Sequence, residues 1–120
     1  MSVRVLVVED EAIVAIDIAD QLADAGFLVV GPAPSVAKAL KLIEEAGCDV
    51  AVLDVNLRGE TAEPIARVLR DRRTPFVFMS AVARNHLPSD FEDEVLLAKP
   101  ARSAVLVAAL QTSIAKSSRN

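Results

Sequence analysis

The chain has 120 residues, 52% of them hydrophobic, and a net charge of −4 from 13 basic and 17 acidic side chains. That length suits one domain across residues 1–120 with a core large enough to fold alone. One His, no Trp and no Tyr exclude the basic stripe and stacking aromatics of a nucleic-acid binder, no apolar run reaches the roughly 18 residues of a membrane span, and the single Cys48 excludes an internal disulfide and suits a reducing compartment.

Residues 3–8 are apolar except for Arg4, as expected of a strand buried on both faces, and no basic leader precedes them, so a cytoplasmic location is expected. Residues 10–25 carry a helical period with Ile13, Ile16, Ile18 and Leu22 expected inward, closed by Gly26. A second strand over 27–30 ends in Gly31-Pro32, and Ser35 caps a helix reaching about Ala46, with Gly47 at its end. Residues 50–53 are the third strand, followed by a loop through Gly59. A helix over 60–72 tolerates Pro64 only near its first turn. Its basic residues Arg67, Arg70, Arg72 and Arg73 read as solvated surface, and Cys48 as a small apolar residue near a strand start. Pro75 leads into a fourth strand over 76–79. Residues 81–92 are polar and broken by Pro88, predicting a short or irregular helix in which His86 is a solvated side chain. Residues 95–98 are the fifth strand, Pro100 breaks it, and 102–116 form the last helix before a frayed tail. Strands alternating with helices argue for an α/β fold, a parallel sheet with helices on both faces.

In an open parallel sheet, ligands bind beyond the carboxyl ends of the strands. The first strand is followed by Glu9-Asp10-Glu11, the third by Asp54, the fourth by Ser80 and the fifth by Lys99, whereas the second ends in Gly31-Pro32 and offers nothing. Asp10 alone could be a helix cap, Ser80 a turn residue and Lys99 plain surface. Together they place carboxylates, a hydroxyl and an ammonium on one rim. Clustered carboxylates repel and call for a hard divalent cation, and Mg²⁺ accepts a few carboxylates together with water and phosphate oxygens. A carboxylate can be the nucleophile of phosphoryl transfer, with a cation and Lys stabilising charge on the equatorial oxygens.

With these stretches in view, the sequence resembles the receiver domain of two-component response regulators. The resemblance rests on Val7-Val8-Glu9-Asp10-Glu11, Val52-Leu53-Asp54-Val55-Asn56-Leu57, Phe78-Met79-Ser80-Ala81 and Leu97-Ala98-Lys99-Pro100, and it covers essentially the whole chain. It implies a flavodoxin-like three-layer sandwich with strand order 2-1-3-4-5. It implies Asp54 as phosphoacceptor and Mg²⁺ held by Asp10, Asp54, the backbone carbonyl of Asn56 and, through water, Glu9. Ser80 would move toward the phosphoryl group and Lys99 would pair with it. The implied partners are a sensor histidine kinase or histidine phosphotransfer protein, docking near the first helix, and a separate downstream protein. No direct contact with nucleic acid or membrane is expected, and the domain is a signalling phosphoacceptor rather than a metabolic enzyme.

The pattern departs from many receivers at Leu96, where an aromatic reports the switch, and at Ala101, where Phe often follows Lys-Pro. The Asp54–Asn56 loop and Pro75-Phe76 are similar to a subgroup of stand-alone receivers found mainly in alphaproteobacteria. That subgroup carries a Thr-Gly-Tyr-like run where this chain has Ser80-Ala81-Val82. The alternative is a receiver-fold interaction module or phosphate sink without its own output. An aspartate-nucleophile phosphatase would need a second acid where Asn56 stands, and a nucleotide-binding domain would need a Gly-rich loop after the first strand.

Overall fold

A computed structural model describes residues 2–81, 89–91, 94–99 and 102–118. Five parallel strands, β1 (Arg4–Val8), β2 (Leu28–Ala33), β3 (Val50–Asp54), β6 (Phe76–Ser80) and β7 (Leu96–Ala98), form one sheet in the order β2-β1-β3-β6-β7. Counting these five alone, the order is 2-1-3-4-5. The numbering shifts because a two-stranded antiparallel ribbon, β4 (Asn56–Leu57) and β5 (Glu60–Thr61), follows β3. Helices α1 (Ala12–Asp24), α2 (Val36–Glu45), α3 (Glu63–Asp71) and α4 (Ser103–Ser118) cover the two faces.

Side chains alternate along each strand, so each central strand feeds two cores. Leu6, Val8, Ala51, Leu53, Phe76 and Phe78 pack with Ala39 and Ile43 of α2 and Ile65 and Leu69 of α3. Val5, Val7, Val50, Val52, Val77 and Met79 pack with Ile18 and Leu22 of α1 and Leu106 and Leu110 of α4. Cys48 packs against the first of these cores, and burial pushes its thiol up to about 11.

Several expectations are corrected. Ile13 and Ile16 are not inward but 85% and 58% exposed. At about 100° per residue they lie about 140° and 160° around the axis from Ile18, whereas Ala15, Ile18 and Leu22 share the buried stripe. The second strand continues through Gly31-Pro32 to Ala33, which an edge strand tolerates. The third helix begins at Glu63 because Glu60 and Thr61 pair with Leu57 and Asn56, and Pro64 falls in its first turn. Ser35 does cap α2, its Oγ accepting from the Lys38 amide at 3.2 Å.

The basic cluster at the end of α3 is exposed, as expected, and among the described residues three of its four arginines also have partners. Phe91 is fully buried in a 3-10 turn (Ser89–Phe91), with its ring centroid 6.1 Å from those of both Phe76 and Phe78. The Arg70 guanidinium stacks 4.0 Å from the Phe91 centroid and pairs with Glu94 at 2.7 Å, while Arg67 pairs with Asp90 at 2.8 Å. Arg72 donates to the Ile43 carbonyl at 3.3 Å. His86 and most of the segment expected as an irregular helix lie outside the described residues.

Candidate functional site: an acidic rim with a buried lysine

The register sets the site. Val8 pairs with Leu53, Asp54 with Met79 and Ser80 with Ala98, so adjacent strands end at nearly the same height. The residues that follow are held by backbone bonds. The Glu9 amide donates to the Ala33 carbonyl at 3.0 Å, the Val55 amide to Met79 at 3.0 Å and the Lys99 amide to Ser80 at 3.0 Å. The second strand therefore does contribute to the rim, through the Ala33 carbonyl that fixes Glu9.

This architecture buries three polar side chains among the apolar strand ends: Glu9, Asp54 and Ser80. Burial without partners would be costly, and a single cation serves two of them. Lys99 Nζ donates to Asp54 Oδ2 at 2.9 Å and forms an ion pair with Glu9 Oε1. The Glu11 amide donates to Glu9 Oε2 at 3.1 Å, and the Asn56 amide to Asp54 Oδ1 at 3.3 Å. Asp10 does not cap α1, whose N-cap is Glu11; its carboxylate instead meets Arg58 Nε at 3.4 Å.

Glu9, Asp10 and Asp54 each present a carboxylate oxygen within 4.8 Å of the others. An all-oxygen set of this spacing fits a hard divalent cation, and Asn56 lies two residues along the same backbone. Burial pushes the Asp54 carboxyl up to about 6; Lys99 opposes that rise and Glu9 adds to it. Partial burial works against the Lys99 charge, but Glu9 and Asp54 outweigh it and hold the ammonium above the usual lysine range. Asp54 is thus a poorly solvated carboxylate with one fixed cation beside it and two further carboxylates within 4.8 Å.

The structure brings Glu9, Asp10, Asp54 and Lys99 into contact distance. It places Ser80 on the neighbouring strand end, beside the Ala98-Lys99 step. Sequence reasoning missed Arg58. Gly59 marks a turn, but the flanking pairs Asn56-Leu57 and Glu60-Thr61, which form the ribbon, are too short to read as strands from the sequence.

Comparison with known proteins agrees with this geometry. A profile described as "Response regulator receiver domain" matches residues 5–111. The solution structure of SdrG from Sphingomonas melonis Fr1 is 36% identical, with a TM-score of 0.82, covering 95% of this chain and 97% of that one. A response regulator receiver protein from Sinorhizobium medicae WSM419 is 33% identical, with a TM-score of 0.81 and 97% coverage of both chains. The transcriptional regulatory protein PdtaR of Mycobacterium tuberculosis is 27% identical over an alignment of 117 positions that covers 94% of this chain and 57% of that protein. The chain therefore spans little more than half the length of that curated relative. Among the described residues, no helix is long and apolar enough to cross a membrane.

Proposed function

Because the chain belongs to the response regulator receiver domain family, and so to two-component signalling, we propose that Asp54 is its phosphoacceptor. The donor is a phosphohistidine on a sensor histidine kinase or histidine phosphotransfer protein, the partners with which receiver domains interact. An Asp54 carboxylate oxygen attacks phosphorus, the phosphorus–nitrogen bond of the donor breaks, and its electron pair returns to the imidazole. The product is an aspartyl phosphate. The observation that carries this reading is the buried Asp54 carboxylate, 2.9 Å from the Lys99 ammonium and within 4.8 Å of Glu9 and Asp10 oxygens.

Asp10, Asp54 and the Asn56 carbonyl would hold Mg²⁺ directly, and Glu9 through water. Bound there, the ion supplies positive charge to the equatorial oxygens of the transferring group. Lys99 contributes a point charge from the end of β7 on the same rim and moves from a carboxylate pair to the new phosphoryl oxygens. Ser80 donates its hydroxyl to the same group, and the rearranged rim biases a surface read by a separate partner protein. Leu96, standing where many receivers carry an aromatic, is half-buried against the core that contains Phe76, Phe78 and Phe91. The Ser80 response is therefore transmitted through an aliphatic side chain.

The test uses the protein with a small acyl phosphate, with Mg²⁺ or with a chelator, read by intact mass. One phosphoryl group appears with Mg²⁺ and essentially none with chelator. Uptake that ignores the metal contradicts the reading.

A further inference from the structure

Arg58 is an odd residue for its place. It occupies the first position of the two-residue turn joining β4 and β5, with φ +41°, and Gly59 follows at φ +84°. Two successive positive φ angles suit Asn or Gly, and a long side chain there is strained by its own Cβ. What this costly placement achieves is electrostatic. The turn begins four residues after Asp54, beyond β4, and brings the Arg58 Nε to 3.4 Å from Asp10 Oδ2. The guanidinium comes from the solvent side, 79% exposed, while the Asp10 side chain is only 11% exposed in the wall of the acidic rim.

The rim's charges are thereby divided. Lys99 bridges Glu9 and Asp54, and Arg58 takes Asp10. A divalent cation entering among the three carboxylates must draw Asp10 away from Arg58 or share it at short range with a like charge.

We propose that Arg58 sets the divalent-cation affinity of the rim by competing for Asp10. It is a positioning residue that holds this carboxylate in place before metal arrives and weakens metal binding in return. The proposal rests on Glu9, Asp10 and Asp54 forming the metal site.

Isothermal titration of the protein with MgCl₂ tests it, using Arg58→Asn, which suits the turn and removes the charge, and Arg58→Lys, which keeps the charge in the same strained position. At low salt Arg58→Asn binds Mg²⁺ about fivefold more tightly than wild type, the upper range for an exposed pair. Arg58→Lys stays near wild type. At high salt the gap closes, because the guanidinium is exposed to screening ions. Relief of turn strain alone would produce no such salt dependence. Equal affinities for wild type and Arg58→Asn at low salt overturn the role of Arg58 and leave the metal site standing. No Mg²⁺ binding by wild type overturns the metal site and this proposal with it.

Discussion

Asp54→Asn makes the metal-free domain more stable at pH 7, by about 2 kcal/mol, while removing its ability to take a phosphoryl group. The sign follows from the raised pKa. The ordinary value for this carboxyl is 3.8, and burial, with Glu9 adding to it, lifts the folded-state value to about 6 against the pull of Lys99. A group that holds its proton more tightly when folded contributes stability that is fully present below the unfolded pKa. That contribution is lost as pH rises through the folded value. At neutral pH the ionised carboxylate is therefore a net cost to the fold. Asparagine has nearly the same shape and no charge. In thermal melts the variant's midpoint exceeds wild type by roughly 8 °C at pH 7. The difference shrinks as pH falls from 6 toward 4. A lower midpoint for Asp54→Asn at pH 7, or a gap independent of pH, contradicts this account of the site.

Lys99→Met acts in the opposite direction. Lys99 is the cation shared by two buried carboxylates, with only 14% of its side chain exposed. Methionine keeps much of the stem and deletes the charge, leaving Glu9 and Asp54 to face each other. Removing one partner from a buried ionic set costs about 3 kcal/mol at pH 7. Because the folded-state pKa of Lys99 is raised, its contribution is present below the ordinary lysine value and is lost only as pH climbs through the folded one. Across pH 5–8 the wild-type lysine stays charged, so pH acts on the variant through the carboxylates. The loss is largest near pH 8 and shrinks toward pH 5, where Asp54 accepts a proton. Added Mg²⁺ raises the melting midpoint of the variant more than that of wild type, since the competing ammonium is gone. A variant as stable as wild type at pH 8 would show that Lys99 does not neutralise the rim.

Much of this was legible because burial and chemistry meet at sharp boundaries in the sequence. The run Val50-Ala51-Val52-Leu53, short and rich in β-branched residues, reads as a strand covered on both faces, and Asp54 is the first residue that breaks it. Glu9, Ser80 and Lys99 stand at the same kind of boundary, so parallel pairing alone lines them up along one rim. What escaped depends on partners remote in the chain or on geometry finer than periodicity. Ile13 and Ile16 share the composition of a core stripe but not its angle with Ile18. Arg67 and Arg70 are exposed, as their composition suggests, but their partners Asp90, Phe91 and Glu94 stand some twenty residues on and cannot be read from α3 alone. The β4–β5 ribbon is two residues per strand, too short for any apolar alternation, so the Arg58 contact with Asp10 appears only in the folded chain.

The claim on which the rest depends is that phosphate is esterified at Asp54. Wild type and Asp54→Asn should be incubated side by side with Mg²⁺ and an acyl phosphate, and the modified peptide located by tandem mass spectrometry. One phosphoryl group per wild-type chain is expected, on the peptide containing Asp54, and none on the variant. A phosphoryl group on another residue, or equal yield from Asp54→Asn, would contradict it.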